Sequence, residues 1–457
     1  MARDWVGIQI APISFIDEGV EQVLDLLQDR AAVNALILIA VSWMESVGGR
    51  TGLDYVGHGI QGPYDPQGGA FWEPDMRYYG NTFIKHFRSP DPLFAGFDTL
   101  RDVVPAARKR GIKVYAYNWA VGGGEEPRNV PNFVQLAEID VYGRKGNKPC
   151  FNHPAYRAWI LSVTEEWCQR YDVDGVNWGL ERRGPLAARI AFGEAPACFC
   201  EHCTAIGQRN GIDVARAREG YLKVHTHLER VQAGEVPRDG YFVTFLRHLL
   251  QYPEILQWEK LWLESEKGLR QEIYGLVKHL DPRKEVGLGI LHWITSLDPF
   301  LRAQYDYREL IGTCDWVKPI LYNVPAGVRF KAVAESFQAS ILKDASVEEC
   351  VQGLYRVLRH NEAPLDELAE QGFSAGYVRK ETRRMVDALD GKAKVYPGIG
   401  ISLPSPARRI QTEDTKAAIR AAYEGGADGI LLARNYAETT LANLDAVGQV
   451  LKELGKV

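Results

Sequence analysis

What this chain is short of narrows its function before any motif is read. No apolar run of about 18 residues occurs, so no membrane-spanning helix is expected. There is no lysine/arginine block and the formal net charge is −5, which leaves no basic field for nucleic acid. Cysteine is scarce: the seven present are odd in number and partly clustered, which suits free thiols or a metal better than a disulfide framework. The opening "MARDWVGIQIAP" lacks a charged segment leading into an apolar one, so the expected location is cytoplasmic, or exported if a leader precedes it. The rest is ordinary for a globular enzyme. With 46% hydrophobic and 25% charged residues over 457 positions, the chain has room for one large domain with insertions, or for two.

Eight β-rich runs recur along the chain, each bounded by turn chemistry and followed by a helical pattern. They are "WVGIQIAP" (5–12), "ALILIAVSW" (35–43), "IKVYAYNW" (112–119), "DGVNWGLE" (174–181), "EVGLGILHW" (285–293), "DWVKPILYN" (315–323), "KVYPGIGIS" (394–402) and "DGILLARNY" (428–436). Near-continuous apolar runs are what strands covered on both faces look like. Between them lie amphipathic stretches such as "GVEQVLDLLQDR" and "TLRDVVPAARKRG", often closed by Gly or Asp-Gly. Alternation of this kind predicts an α/β fold, a single (β/α)₈ barrel over 1–457, with a doubly wound open sheet as the alternative. Long inserts at about 44–95, 182–284 and 324–393 follow strands 2, 4 and 6. They leave from the end of a barrel where active sites are built, so they are expected to wall that mouth.

Aromatic and polar residues gather at these predicted strand ends. Trp43, Trp119 and Trp293 close strands 2, 3 and 5, Tyr322 nears the end of strand 6, and Trp72, Tyr78 and Tyr79 lie in the first insert. Flat rings with polar tips suit the C–H faces of sugars, although any one Trp is as readily core packing. Trp178 opposes Glu181 in parity and is expected to face the helices. Gln9, Asn118, Asn177, His292, Lys318, Arg434 and Asn435 supply polarity. A charge at Lys318, inside an apolar run, demands a partner such as Glu181, either as a structural ion pair or in the site. His292 is a buried core histidine or a substrate contact and proton carrier.

Glu181 follows Asn177 and Gly179 on one strand face, the inward one, at the end of strand 4. That position fits acid/base or nucleophilic work. Arg182 and Arg183 behind it would lower its pKa, or simply pair with it. Downstream, "PACFCEHC" places Cys198, Cys200 and Cys203 as C-x-C-x₂-C, a spacing that fits tetrahedral zinc if a fourth ligand arrives. Cys150 is the first choice for that ligand, with His202 and Cys168 as alternatives. Reduced thiols packed under a loop are the plainer reading.

The stretch "CFNHPAYRAWILSVTEEWCQRYDVDGVNWGLERRG…ACFCEHC", roughly residues 149–203, resembles the segment around strand 4 of glycoside-hydrolase-like (β/α)₈ barrels. The cysteine pattern is similar to that of the family 42 β-galactosidases, and this likeness implies Cys150, Cys198, Cys200 and Cys203 as ligands of a structural Zn²⁺. It also implies hydrolysis of a glycosidic bond in a mono- or oligosaccharide, with no organic cofactor, no nucleic acid and no membrane partner, and with an oligomer possible. There are departures. Gly179 stands where many relatives carry an acid, the Asn-Glu pair of family 42 is missing from strand 4, and strands 6 and 7 end without an acid. A two-carboxylate mechanism would then draw its second acid from a loop, with Asp298 and Glu45 leading and Glu125 and Glu126 behind them.

On this reading Glu181 and Asp298 are catalytic with His292 beside them. Gln9, Trp43, Glu45, Asn118, Trp119, Asn177, Arg182, Trp293, Lys318, Tyr322 and Arg434 hold the substrate. A sugar-binding barrel without turnover, or an isomerase or lyase on the same fold, are the rivals. "VGGGEE" lacks the Lys and Ser/Thr of a phosphate loop.

Overall fold

The computed structural model describes residues 4–42, 49–51, 53, 55–119, 130–180, 182–403 and 408–457. Of the residues singled out above, Trp43, Glu45, Glu125, Glu126 and Glu181 lie outside the described residues.

The barrel closes. Its strands are β1 (Trp5–Ile10), β2 (Ala35–Ser42), β3 (Lys113–Trp119), β4 (Gly175–Leu180), β5 (Glu285–Ile290), β6 (Trp316–Pro319), β7 in two pieces (Lys394–Val395 and Gly398–Gly400) and β8 (Gly429–Ala433). All of their mutual pairings are parallel, and β8 returns to β1 with Val6 opposite Ile430 and Ile8 opposite Leu432, which an open sheet would not do. Strand β7 carries the closure across Pro397. Its first piece pairs with β6 and its second with β8, and the proline, which has no N–H to donate, sits at the changeover.

Alternation along the strands sorts side chains into two layers. Val6, Ile8, Leu36, Leu38, Val114, Ala116, Val176, Trp178, Leu288 and Leu432 point outward into the core shared with the helices. Ala35, Ile37, Ile39, Tyr115, Tyr117, Trp316 and Leu431 point inward. Both layers are apolar, so the strands read as unbroken hydrophobic runs. Trp178 faces the helices, as its parity requires.

Eight helices alternate with the strands: α1 (Val20–Ala31), α2 (Thr99–Lys109), α3 (Pro154–Arg170), α4 (Glu254–Leu280), α5 (Pro299–Gln304), α6 (Ala375–Leu389), α7 (Thr412–Glu424) and α8 (Leu441–Glu453). Local chemistry starts several of them. Asp98 accepts from the N–H groups of Leu100 and Arg101 at the head of α2, Ser374 caps α6 and Thr440 caps α8. The longer excursions are helical. Pro185–Phe192, Glu201–Arg209, Val214–Gln232 and Tyr241–Gln251 precede α4, and Asn323–Gln338, Val347–Leu358 and Leu365–Gln371 precede α6.

Two expectations need correction. Strands β5 and β6 stop earlier than their apolar runs. His292 lies beyond the last residue of β5, Trp293 opens a wide π-helical turn (Trp293–Leu297), and Tyr322 precedes a helix that begins at Asn323. These turns are buried too, so the run of apolar residues carries no sign of where the strand ends. Trp72 and Tyr79, read as part of an aromatic mouth, are instead buried against α3. The Trp72 ring packs edge-on to Trp167 at 5.2 Å, and Tyr79 donates its hydroxyl to Glu166 at 2.6 Å.

Candidate functional site

The barrel interior is plugged at its N-terminal end. Trp5 stacks on Tyr396 at 4.0 Å and meets Trp316 at 5.6 Å, while Tyr115 meets Trp316 edge-on at 5.2 Å. These rings need space that inward-facing glycines leave. A Cβ on Gly7 would fall 2.3 Å from Trp5, and one on Gly287 would fall 2.0 Å from Trp316.

Above this floor the lining turns polar. Lys318 on β6 is buried, and its ammonium donates to Gln9 Oε1 on β1 at 2.5 Å. The partner that the sequence demanded for this charge thus includes an amide. Gly398 on β7 makes room for the stem, since a Cβ there would sit 2.8 Å from Lys318 Cε. Asn177 on β4 is buried, and its Oδ1 has no hydrogen-bond partner among the described residues. At the next inward position of β5, a Cβ on Gly289 would make only ordinary contacts among the described residues, 3.7 Å from the Trp178 carbonyl oxygen. Gln9, Lys318 and Asn177 thus form the polar lining of the barrel interior above the aromatic floor.

At the rim, Trp119 ends β3 half-buried, with its ring 5.5 Å from that of Tyr117. Asn118 is buried opposite Val41, and Asn435 accepts from the Ala11 N–H at 3.1 Å. Tyr322 is buried against the Cα of Gly400, where a Cβ would lie 3.2 Å away. Arg434 chelates Glu438 on the next turn, with Nε 3.1 Å from both carboxylate oxygens.

His292 is fully buried. Arg329 Nη1 donates to its Nδ1 at 3.0 Å, so the ring proton sits on Nε2 and is donated to the Tyr377 hydroxyl, also at 3.0 Å. Tyr377 in turn bonds Ser296 Oγ. Burial, then the charge of Arg329, holds the imidazole well below its usual pKa. A neutral, fully engaged His292 orients Arg329. Both of its ring nitrogens are engaged within the protein.

Asp298 leaves one oxygen free. Its Oδ1 caps α5, accepting from Phe300 N–H at 2.8 Å and Leu301 N–H at 3.2 Å, while its buried Oδ2 has no partner among the described residues. Burial pushes its carboxyl up to about 6, against the opposing pull of its two backbone donors and Arg183. Such an acid holds its proton near neutral pH more readily than an exposed aspartate.

Arg182 departs from expectation. It is buried, paired with Glu138, donates to the Pro149 carbonyl and lies 4.4 Å over Phe151. Lying past the end of β4, it reaches toward the loop that bears Cys150, and its guanidinium is engaged there. Arg183 reaches the rim instead, 3.7 Å over Phe192 and 5.7 Å from Trp293. Arg329 and Tyr377 were not anticipated. They arrive on helices in the insert after β6 and on α6, where no strand pattern marks them.

The four cysteines converge. Cys150, Cys198, Cys200 and Cys203 are buried with all sulfurs within 4.8 Å of one another, and Cys150 Sγ lies 3.5 Å from Cys200 Sγ and 3.4 Å from Cys203 Sγ. Tetrahedral thiolates at about 2.3 Å from a metal would be spaced by about 3.8 Å, close to this. Backbone N–H groups of Ile139 and Asn152 donate to Cys198 and Cys150 at 3.3 Å, and the Asn152 amide donates to Cys203 at 3.3 Å, all favouring thiolate charge. Neither His202 nor Cys168 belongs to the group. The residues fit a metal held by four sulfurs, with no position left open for a substrate.

No protein-family model matches the chain, and no curated protein matches it. Solved structures do. The PgaB (BpsB) glycoside hydrolase domain from Bordetella bronchiseptica is 12% identical with a TM-score of 0.50, and the match covers 98% of each chain. The β-galactosidase from the haloarchaeon Halorubrum lacusprofundi is 12% identical with a TM-score of 0.54, and the match covers 99% of this chain and 58% of that one. The catalytic domain of the β-amylase from Paenibacillus polymyxa is 12% identical with a TM-score of 0.50, covering 99% of each. At these identities the likeness is one of fold: a (β/α)₈ barrel of the kind seen in glycoside hydrolases. Among the described residues, no helix is long and apolar enough to cross a membrane.

Proposed function

We propose that the protein is a glycoside hydrolase acting on a carbohydrate bound in the mouth of the barrel. The observation that carries this reading is the polar column of Gln9, Lys318 and Asn177, which rises from a closed aromatic floor toward a rim holding Trp119, Trp293, Tyr322 and a buried acid, Asp298. Glu181 is the principal carboxylate. Asp298, whose environment favours its protonated form, is the general acid that donates to the leaving oxygen. Gln9, Asn118, Asn177, Lys318 and Arg434 hold hydroxyls, and the rim aromatics take sugar faces with Trp43 and Glu45. The inserts at about 44–95, 182–284 and 324–393 wall the mouth of a single barrel domain. The four cysteines hold zinc, which braces the loop after β4 and takes no part in the chemistry.

The test is turnover of a panel of aryl glycosides and short oligosaccharides by wild type, Glu181→Gln and Asp298→Asn. A loss of several orders of magnitude in Glu181→Gln, with the fold intact, supports the assignment, and the anomer of the product reports the mechanism. Absence of turnover on every substrate, with sugar binding unaffected by either change, would make this a binding barrel. The engagement of Asp298 Oδ1 in a helix cap favours that second reading. Metal analysis of the purified chain should find one zinc per molecule, lost in Cys200→Ser.

A further inference from the structure

Among the described residues, the rim between β5, β6 and β8 brings Arg329 and Arg434 close together. Arg329, on the helix Asn323–Gln338, is half-buried and makes one hydrogen bond among the described residues, to the neutral His292. Its guanidinium lies 5.2 Å from the Trp293 ring and 5.7 Å from that of Tyr322, and no carboxylate pairs with it among the described residues. Arg434 is close enough to oppose its charge, and Arg183 approaches the same Trp293 ring. Among the described residues, Glu438 is taken up by Arg434, and no ion pair joins Arg329 to an acid. A desolvated guanidinium held beside a second one, with one hydrogen bond among the described residues, gains from an anion that completes it.

Resting on the carbohydrate reading above, we infer that the mouth selects an acidic sugar, whose carboxylate docks on Arg329 with Arg434 beside it while Trp293 takes the C–H face of the ring. A planar guanidinium matches a carboxylate through two parallel N–H bonds.

Calorimetric titration of the full chain tests this with oligogalacturonic acid, the neutral galactose oligosaccharide of equal length and a sulfated counterpart. The uronic acid should bind at least about tenfold tighter than the neutral sugar, with a preference that shrinks as salt is raised. Arg329→Gln should weaken binding of the acid on the order of 10- to 100-fold and leave the neutral sugar nearly unchanged, while Arg329→Lys recovers part of the loss. Arg434→Gln, which leaves the His292 contact intact, should weaken the acid preference in the same direction. Equal binding of acidic and neutral sugars, or a preference that survives in both Arg→Gln variants, overturns the inference. Tighter binding of the sulfated sugar overturns the assignment to a carboxylate. Acid-selective binding without turnover removes the hydrolase reading and leaves this one standing, whereas turnover of neutral sugars without acid preference does the reverse.

Discussion

At its N-terminal end the barrel interior is four aromatic rings, and at its C-terminal end it is an amide, an ammonium, an asparagine and a rim of guanidinium groups. The same alternation places both sets, and both levels use glycine. At the floor, Gly7 and Gly287 are glycine because a tryptophan ring occupies the space of the missing side chain. At the mouth, a Cβ on Gly289 would make only ordinary contacts among the described residues, the nearest at 3.7 Å. The carboxyls differ likewise: Glu285 near the floor accepts from the Tyr115 hydroxyl, whereas Asp298 at the rim keeps an oxygen without a described partner. One end is filled by rings packed on one another, and the other is lined by polar and charged groups.

That contrast can be broken by substitution. Trp316→Ala should be the most damaging change, costing about 3–5 kcal/mol because a ring in contact with Trp5, Tyr115 and Tyr396 leaves a cavity. Urea unfolding near its wild-type midpoint would show that the floor does not carry the core.

Asp298 sharpens the comparison through pH. Its folded carboxyl lies at about 6 rather than 3.8, so the folded protein holds that proton more tightly than the unfolded chain does. Stability therefore falls as pH climbs from about 4 to 6, and it stays lower by about 3 kcal/mol above that. Asp298→Asn keeps a good N-cap and should abolish this fall, which makes the variant the more stable protein at pH 8. Unfolding curves of both proteins from pH 4 to pH 8 measure it, and parallel profiles would mean that Asp298 is not held toward its neutral form.

Gly287→Ala should cost about 1–3 kcal/mol, since its methyl group must displace Trp316. Gly289→Ala, two residues along the same strand face, should change stability by less than about 0.5 kcal/mol. Equal effects of the two changes on thermal unfolding would erase the difference between floor and mouth.

Much of the barrel was legible in the sequence. Inward parity at Asn177 and Lys318, and outward parity at Trp178, follow from a period of two. The convergence of Cys150 on Cys198, Cys200 and Cys203 was anticipated from spacing and resemblance. Strand ends were not legible, because His292, Trp293 and Tyr322 continue apolar runs into helical turns as buried as the strands. Composition also misled at Trp72, whose Gly/Pro-rich surroundings suggest an open loop although the ring is wedged against Trp167.

Arg182 and Arg329 mark the limit. Adjacent to Glu181 in the chain, Arg182 lies past the end of β4 and pairs with Glu138, a residue 44 positions upstream. Some 150 residues from Glu181, Arg329 comes to the mouth on a helix with no strand signal of its own. By itself the sequence determined strand parity, helix caps and the cysteine spacing, because each depends on residues a few positions apart. Tertiary structure alone decided which charge meets which. The partners of His292 and Arg329 come from separate elements brought together by closure of the barrel, and burial sets whether His292 and Asp298 are charged.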